Sequence, residues 1–218
     1  MQGQAHDGVF LTIEGVEGVG KSTAVKFIQQ YLAQQNQTVV ITREPGGTVL
    51  AEKIRELLLS PNANEEMAPE TELLLMFASR AQHIASLIKP AIAAKKWVVS
   101  DRFLDASYAY QGAGRGFDLS RLDMLSHWVV GALKPDATIL LDAPPALGLA
   151  RAKNRGAHDR IEQEKIDFFE RVRSGYLARA AEDPTRFHII DATESLSAVH
   201  AKIKAVLDKI LLDICSDR

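Results

Sequence analysis

The sequence predicts an α/β fold: a doubly wound, five-stranded parallel sheet flanked by helices and carrying a mobile lid. Three observations carry this. Short β-branched runs alternate with segments of helical periodicity along the 218 residues. Residues 15–22 read Gly-Val-Glu-Gly-Val-Gly-Lys-Ser, between the first such run and the first helical pattern. The chain closes on Leu196, Val199, Ile203, Val206, Ile210 and Ile214 at i, i+3, i+4 spacing, an apolar stripe made to lie on a sheet. Strands alternating with helices form parallel sheets, whose ligands bind at the carboxyl ends of the strands.

Taken in order, Val9 to Glu14 reads as a buried first strand, followed by a helix whose apolar positions are Ala24, Phe27, Ile28, Tyr31 and Leu32. Thr38 to Thr42 is the second strand, and Arg43-Glu44-Pro45-Gly46-Gly47-Thr48 leads into a helical pattern from Leu50 through Leu59. The isomer of the Glu44–Pro45 bond stays open at this stage. Ser60 to Glu70 holds two prolines and two asparagines and reads as a loop. Thr71 to Ile88 reads as one long helix and Trp97 to Ser100 as the third strand. A helix begins at Asp118, and Thr138 to Leu141 and Phe187 to Ile190 are the fourth and fifth strands. The whole of 1–218 is expected to be one domain, with 1–8 a flexible lead-in that lacks the basic and apolar stretches of a signal peptide or anchor, and 150–161 a lid.

Residues 15–22 match the phosphate-loop pattern G-x-x-x-x-G-K-[ST] in full. Glycines let successive backbone N–H groups turn inward around a phosphate, and the following helix adds partial positive charge. Gly15, Val16, Glu17, Gly18, Val19, Gly20, Lys21, Ser22 and Thr23 are therefore the expected triphosphate cradle. Lys21 reaches the β- and γ-phosphates, and the Ser22 hydroxyl ligates Mg²⁺.

Composition narrows the class. Hydrophobic residues make up 46% and charged residues 25%, near globular averages, and a net charge of −2 disfavours nucleic acid polymers and anionic membranes as partners. The single cysteine, Cys215, cannot form an internal disulfide, which points to a reducing compartment, the cytoplasm. The six histidines are scattered without metal-ligand spacing.

The other strand ends suggest what meets the triphosphate. The third strand ends in Asp101-Arg102: a carboxylate that can hold Mg²⁺ directly or through water, and a guanidinium that can grip a second phosphate. Arg43 places another guanidinium at the same edge. After the fourth strand, Arg151, Lys153, Arg155 and Arg160 form a compact basic segment around Gly156, suited to close over a transferring phosphoryl group and exclude water. Gly112-Ala113-Gly114-Arg115-Gly116 reads as a flexible connector, with Arg115 unassigned.

Several segments together resemble the thymidylate kinase family, in its bacterial branch with a basic lid. They are Ile13 to Thr23, Thr42 to Thr48, Leu75 to Arg80, Asp101-Arg102-Phe103, Ser107 to Gln111 and Asp159 to Gln163. The resemblance spans essentially 9–213. It implies a nucleoside monophosphate kinase of the phosphate-loop fold that passes the γ-phosphate of ATP to dTMP, acting as a homodimer with adenine as the donor base. Phe77 and Arg80 share a helix face, where a pyrimidine could stack on Phe77 while Arg80 donates to a ring carbonyl. Ser107 and Gln111 would read the rest of the base, Tyr110 would fill the space under C2′, Arg43 and Arg102 would hold the acceptor phosphate, and Glu17 would accept from the sugar 3′-hydroxyl. Lys21, Arg102, Arg151, Arg155 and Asp101 are the expected catalytic set, and Arg151, Lys153 and Arg155 also belong to the ATP side. Some members carry an arginine in the phosphate loop where this chain has Gly18, so the lid would have to provide that guanidinium. Kinases of dUMP, UMP or dCMP remain alternatives, and a GTP-binding switch is a further one, although no Asn-Lys-x-Asp segment follows a strand.

Overall fold

The structure, a computed structural model, describes residues 8–60, 65–153 and 160–216. Its strands are β1 (Phe10–Glu14), β2 (Val39–Arg43), β3 (Trp97–Asp101), β4 (Ala137–Asp142) and β5 (Phe187–Asp191). They form one parallel sheet in the order β2-β3-β1-β4-β5. The central strand β1 is buried along its whole length, as a strand covered on both faces must be. Its alternate residues divide between two cores. Leu11 and Ile13 pack with Ala24, Ile28 and Leu32 of α1 (Lys21–Gln34), whereas Phe10 joins Val98, Ile84, Ile88 and Phe103.

The switch in strand order sits beside β1, so the loop after β1 opens onto the carboxyl ends of its neighbours. In the register, Asp101 lies opposite both Ile13 and Arg43, which brings the ends of β1, β2 and β3 to one level.

The remaining helices are α2 (Val49–Leu59), α3 (Pro69–His83), α4 (Lys89–Ala93), α5 (Leu104–Ser107), α6 (Leu119–Val129), α7 (Pro145–Lys153), α8 (Ile166–Glu182) and α9 (Leu196–Ser216). Thr48 caps α2 by accepting from Ala51 N–H, and Asp118 caps α6 by accepting from Ser120 N–H. Thr71 to Ile88 is not one regular helix. It passes from α3 into a π-helical turn at Ile84–Ile88 and then into α4, where Pro90 has no N–H to give.

The glycine-rich segment after Gln111 also departs from expectation. Tyr108–Gly114 is a second π-helical stretch, not a loose connector. Its small residues serve close packing: a Cβ on Gly175 of α8 would lie 2.7 Å from Ala113 Cβ, and one on Gly114 would lie 2.7 Å from Phe168. Arg115, just beyond, pairs with Glu72 at 3.1 Å and with Glu164 at 2.5 Å.

A buried ion pair ties the segment after β3 to the start of β5. Asp105 accepts from Arg186 at 2.7 and 3.1 Å and from Arg179 at 3.1 Å, with Asp105 only 2% exposed. Removing one member leaves a buried charge without its counterion. Asp105→Ala should therefore lower the free energy of unfolding by about 3–5 kcal/mol, measured by urea denaturation at neutral pH.

Candidate active site

One cavity of about 400 Å³ lies at the carboxyl edge of the sheet. The phosphate loop forms its floor. Gly20 adopts φ 100 ahead of α1, whose first N–H groups belong to Lys21, Ser22 and Thr23, all three on the cavity wall. Lys21 Nζ donates to the loop's own carbonyls, Gly15 O at 3.0 Å and Val16 O at 2.8 Å. Burial and the nearby Arg102 charge bring its pKa down to about 8, against the opposing pull of Asp101, Glu17 and Glu14. Gly15, Val16 and Val19 shape the loop from behind, outside the wall.

Arg102 turns the chain back onto this loop. It is a non-glycine residue at φ 72, a conformation that persists where surrounding contacts over-determine it. Its N–H donates to Ile13 O, its Nη1 to Gly15 O at 2.9 Å, and its Nη2 to Glu17 at 2.7 Å and to the Tyr110 hydroxyl at 2.9 Å. Tyr110 in turn donates to both Glu17 oxygens at 2.7 and 2.8 Å. Burial alone would raise the Glu17 pKa, but the Arg102 and Lys21 charges reverse it and hold the carboxyl below its ordinary value. Tyr110 is pushed well above the ordinary phenol range, first by burial, and stays a donor.

Arg43 reaches the same wall, paired with Glu52 at 2.8 Å and half exposed. Asp101 and Ser22 line it as well. Among the described residues no group of three or more His, Cys, Asp or Glu is placed to hold a metal. A hydroxyl and a carboxylate facing one cavity are hard oxygen donors, which fits Mg²⁺, a cation that keeps several waters and binds chiefly through phosphate oxygens.

Arg80, Ser107 and Gln111 line the cavity too, with Arg80 bonded to Ser107. Arg80 is 2% exposed and uses three of its five N–H groups: Nε to Glu44 at 2.7 Å, Nη1 to Ser107 Oγ at 3.0 Å and Nη2 to Phe103 O at 3.0 Å. Glu44 also takes His83 Nδ1 at 2.9 Å, and the peptide that follows it, Glu44–Pro45, is cis. Phe77 does not reach the wall. It is buried with Leu73, Tyr108 and Leu122, and the Arg80 guanidinium lies 4.9 Å from its ring centroid. Glu44 and His83 were passed over in the sequence, and only the Arg-Glu-Pro-Gly-Gly run hinted at them.

Arg151 lines the cavity from α7 and donates to Ala192 O at 3.3 Å. The Lys153 side chain and Arg155 lie outside the described residues. Arg160 turns away, donating to Leu58 O at 2.9 Å and to Glu72 at 2.6 Å. Gly18 has a reason for being glycine beyond a missing arginine. It sits at φ 72, and a Cβ there would fall 1.8 Å from Gly148 O, while a Cβ on Gly148 would fall 2.2 Å from Glu17 O. Loop and α7 touch backbone to backbone, which leaves no room for a side chain and holds the helix bearing Arg151 at the loop.

Glu14 was also missed. It ends β1, is fully buried, and accepts from Phe103 N–H and the Tyr176 hydroxyl at 2.8 Å each. Burial and the Asp105 charge raise its pKa from 4.5 to about 7, only partly offset by the Tyr176 bond. A carboxyl with a raised folded-state pKa binds its proton more tightly in the folded chain, so stability falls as pH rises between those two values. Glu14→Gln should therefore gain about 1–3 kcal/mol over the parent between about pH 5 and about pH 8, read from denaturation at each pH. Gly148→Ala should lower turnover by about 10-fold or more through displacement of α7, measured in steady-state kinetics with fold checked by circular dichroism.

A family model described as thymidylate kinase matches residues 13–203. The thymidylate kinase of Pseudomonas entomophila (strain L48) is 53% identical over 204 residues, covering 94% of this chain and 97% of that one. That of Vesicomyosocius okutanii is 52% identical over 203 residues, covering 93% and 98%. The crystal structure of thymidylate kinase from Ehrlichia chaffeensis superposes with a TM-score of 0.74 at 34% identity, covering 92% of this chain and 99% of that one. With a phosphate loop and several arginines lining one cavity, and with relatives matching over nearly its full length, the chain belongs to the thymidylate kinase family.

Proposed function

We propose that ATP and dTMP meet end to end in this cavity, and that its residues divide between the two. The enzyme is a nucleoside monophosphate kinase that transfers the γ-phosphate of ATP to dTMP. The observation that supports the division is that Lys21 and Ser22, Arg80, Ser107 and Gln111, and Arg43, Arg102 and Arg151 all line a single cavity.

In this reading, an oxygen of the dTMP phosphate attacks the γ-phosphorus in line. The bond to the bridging oxygen of ADP breaks as the new P–O bond of dTDP forms. The acceptor is already an anion, so no strong base is required, and the work of the protein is alignment and charge neutralisation. Lys21 leaves the loop carbonyls for phosphate oxygens. Arg43 and Arg102 hold the acceptor phosphate, Arg151 and the lid cations Lys153 and Arg155 neutralise the transferring group, and Glu17 and Tyr110 border the acceptor sugar. Mg²⁺, which Ser22 and, directly or through water, Asp101 would hold, would neutralise charge on the triphosphate. Arg80, Ser107 and Gln111 read the pyrimidine, with Phe77 supporting Arg80 from behind.

The cytoplasm is the proposed compartment. The solitary Cys215 supports it, and no helix among the described residues is long and apolar enough to cross a membrane. A homodimer is supported by large apolar residues left on the surface, among them Met124 at 71% and Trp128 at 82% exposed on α6.

Comparing turnover of dTMP with that of dUMP, UMP and dCMP, all with ATP, tests the substrate; equal or faster turnover of UMP or dCMP would overturn it. Lys21→Ala should lower kcat by about 10²–10³-fold or more. Arg151→Ala should lower kcat by about 10²-fold while leaving dTMP affinity within about threefold, because it acts on charge that develops in transfer. Full activity in steady-state kinetics would remove Arg151 from the mechanism.

A further inference from the structure

Glu72 lies on α3 and is not among the residues that line the cavity, yet its carboxylate is 2% exposed and completely enclosed by donors. Arg160 donates to Oε2 at 2.6 Å, and Arg115 donates to Oε2 at 3.1 Å and to Oε1 at 3.3 Å. The remaining donor is Gln111 Nε2, 2.9 Å from Oε1. An ionised carboxylate can only accept, so it can face only the NH₂ end of a carboxamide. The choice of amide orientation thus follows from chemistry rather than from which atom was assigned as nitrogen. Burial by itself would favour the neutral acid, but the Gln111 bond and the Arg115 charge outweigh it and keep the Glu72 pKa below its ordinary value.

With Nε2 committed to Glu72, the Gln111 atom left for the cavity is the carbonyl Oε1, which takes no hydrogen bond among the described residues. Arg80, a group that only donates, lines the same cavity and is bonded to Ser107, four residues before Gln111. The wall therefore presents both an acceptor and a donor. That pair matches the N3–H and O4 edge of thymine or uracil and opposes cytosine, whose N3 accepts and whose N4 donates.

We propose that Glu72 is a positioning residue that sets pyrimidine selectivity, locking the Gln111 carboxamide with its oxygen toward the base and so excluding cytosine nucleotides. The inference rests on Gln111 reading the base.

Glu72→Gln tests it. The carbonyl of the new carboxamide would be claimed by Arg115 and Arg160, turning its NH₂ toward Gln111. Gln111 would then present its own oxygen to position 72 and its NH₂ to the cavity. The ratio of kcat/KM for dTMP to that for dCMP should fall by about 10- to 100-fold, with dCMP turnover rising in absolute terms. The ratio for dTMP to dUMP, which share the edge in question, should stay within about threefold. A role confined to folding would lower all three substrates together and leave the first ratio unchanged, and that result would overturn the proposal. If the single variant does not fold, the pair Glu72→Gln with Arg115→Gln, which removes one buried positive charge along with the negative one, carries the same expectation. Gln111→Leu separates the two layers. If it leaves dTMP affinity unchanged, the base-reading assignment fails and the proposal with it. If dTMP affinity is lost there while the ratio holds in Glu72→Gln, the assignment stands and the proposal alone fails.

Discussion

The constraint on which the rest of the structure depends is the confinement of six cationic side chains, Lys21, Arg43, Arg55, Arg80, Arg102 and Arg151, to the wall of one cavity of about 400 Å³. Such a cluster repels itself strongly where solvent is thin. Each cation is met by an acceptor: Lys21 by Gly15 and Val16 carbonyls, Arg43 by Glu52, Arg55 by the Pro45 carbonyl, Arg80 by Glu44, Arg102 by Glu17, and Arg151 by the Ala192 carbonyl. The acceptors differ in kind, and so do the cations' tasks. Those held by full carboxylates in buried surroundings, Arg80 above all, are locked in place. Those held by backbone carbonyls, Lys21 and Arg151, have neutral partners that an anion could replace at little cost.

A second constraint is close backbone approach. The contact of Gly18 with Gly148 seats α7 against the phosphate loop, and the contact of Gly175 with Ala109 and Ala113 seats the Tyr108–Gly114 stretch against α8. Both place cavity side chains: Arg151 in the first case, Tyr110 and Gln111 in the second. Side-chain packing alone would leave these segments further apart, because any Cβ at the contact would overlap its neighbour. Precision at the site thus comes partly from residues that have no side chain to contribute.

Much of the fold was legible because strand positions follow from β-branched runs and helix positions from apolar periodicity. β1, β3 and β5 fall within about one residue of expectation, and the phosphate loop lies where the motif predicts. The misreadings have local causes. Thr71 to Ile88 kept a helical pattern while its backbone slipped into a π turn, which periodicity cannot register. The run Gly112 to Gly116 looked flexible by composition, since glycine signals loops and close packing alike.

The sequence by itself determined the strands and their order of appearance, the phosphate-loop motif between β1 and α1, and the arginines at the ends of β2 and β3. These depend on residue type and near-neighbour spacing. Only the tertiary structure decided which acceptor each cation meets, why position 18 is glycine, and what Arg115 does. Glu72 is 39 positions from Gln111 and 88 from Arg160, and Glu14 is 162 from Tyr176, so nothing local in the chain marks them as partners. They meet because the sheet brings distant strand ends to one level, and that placement is a property of the whole fold.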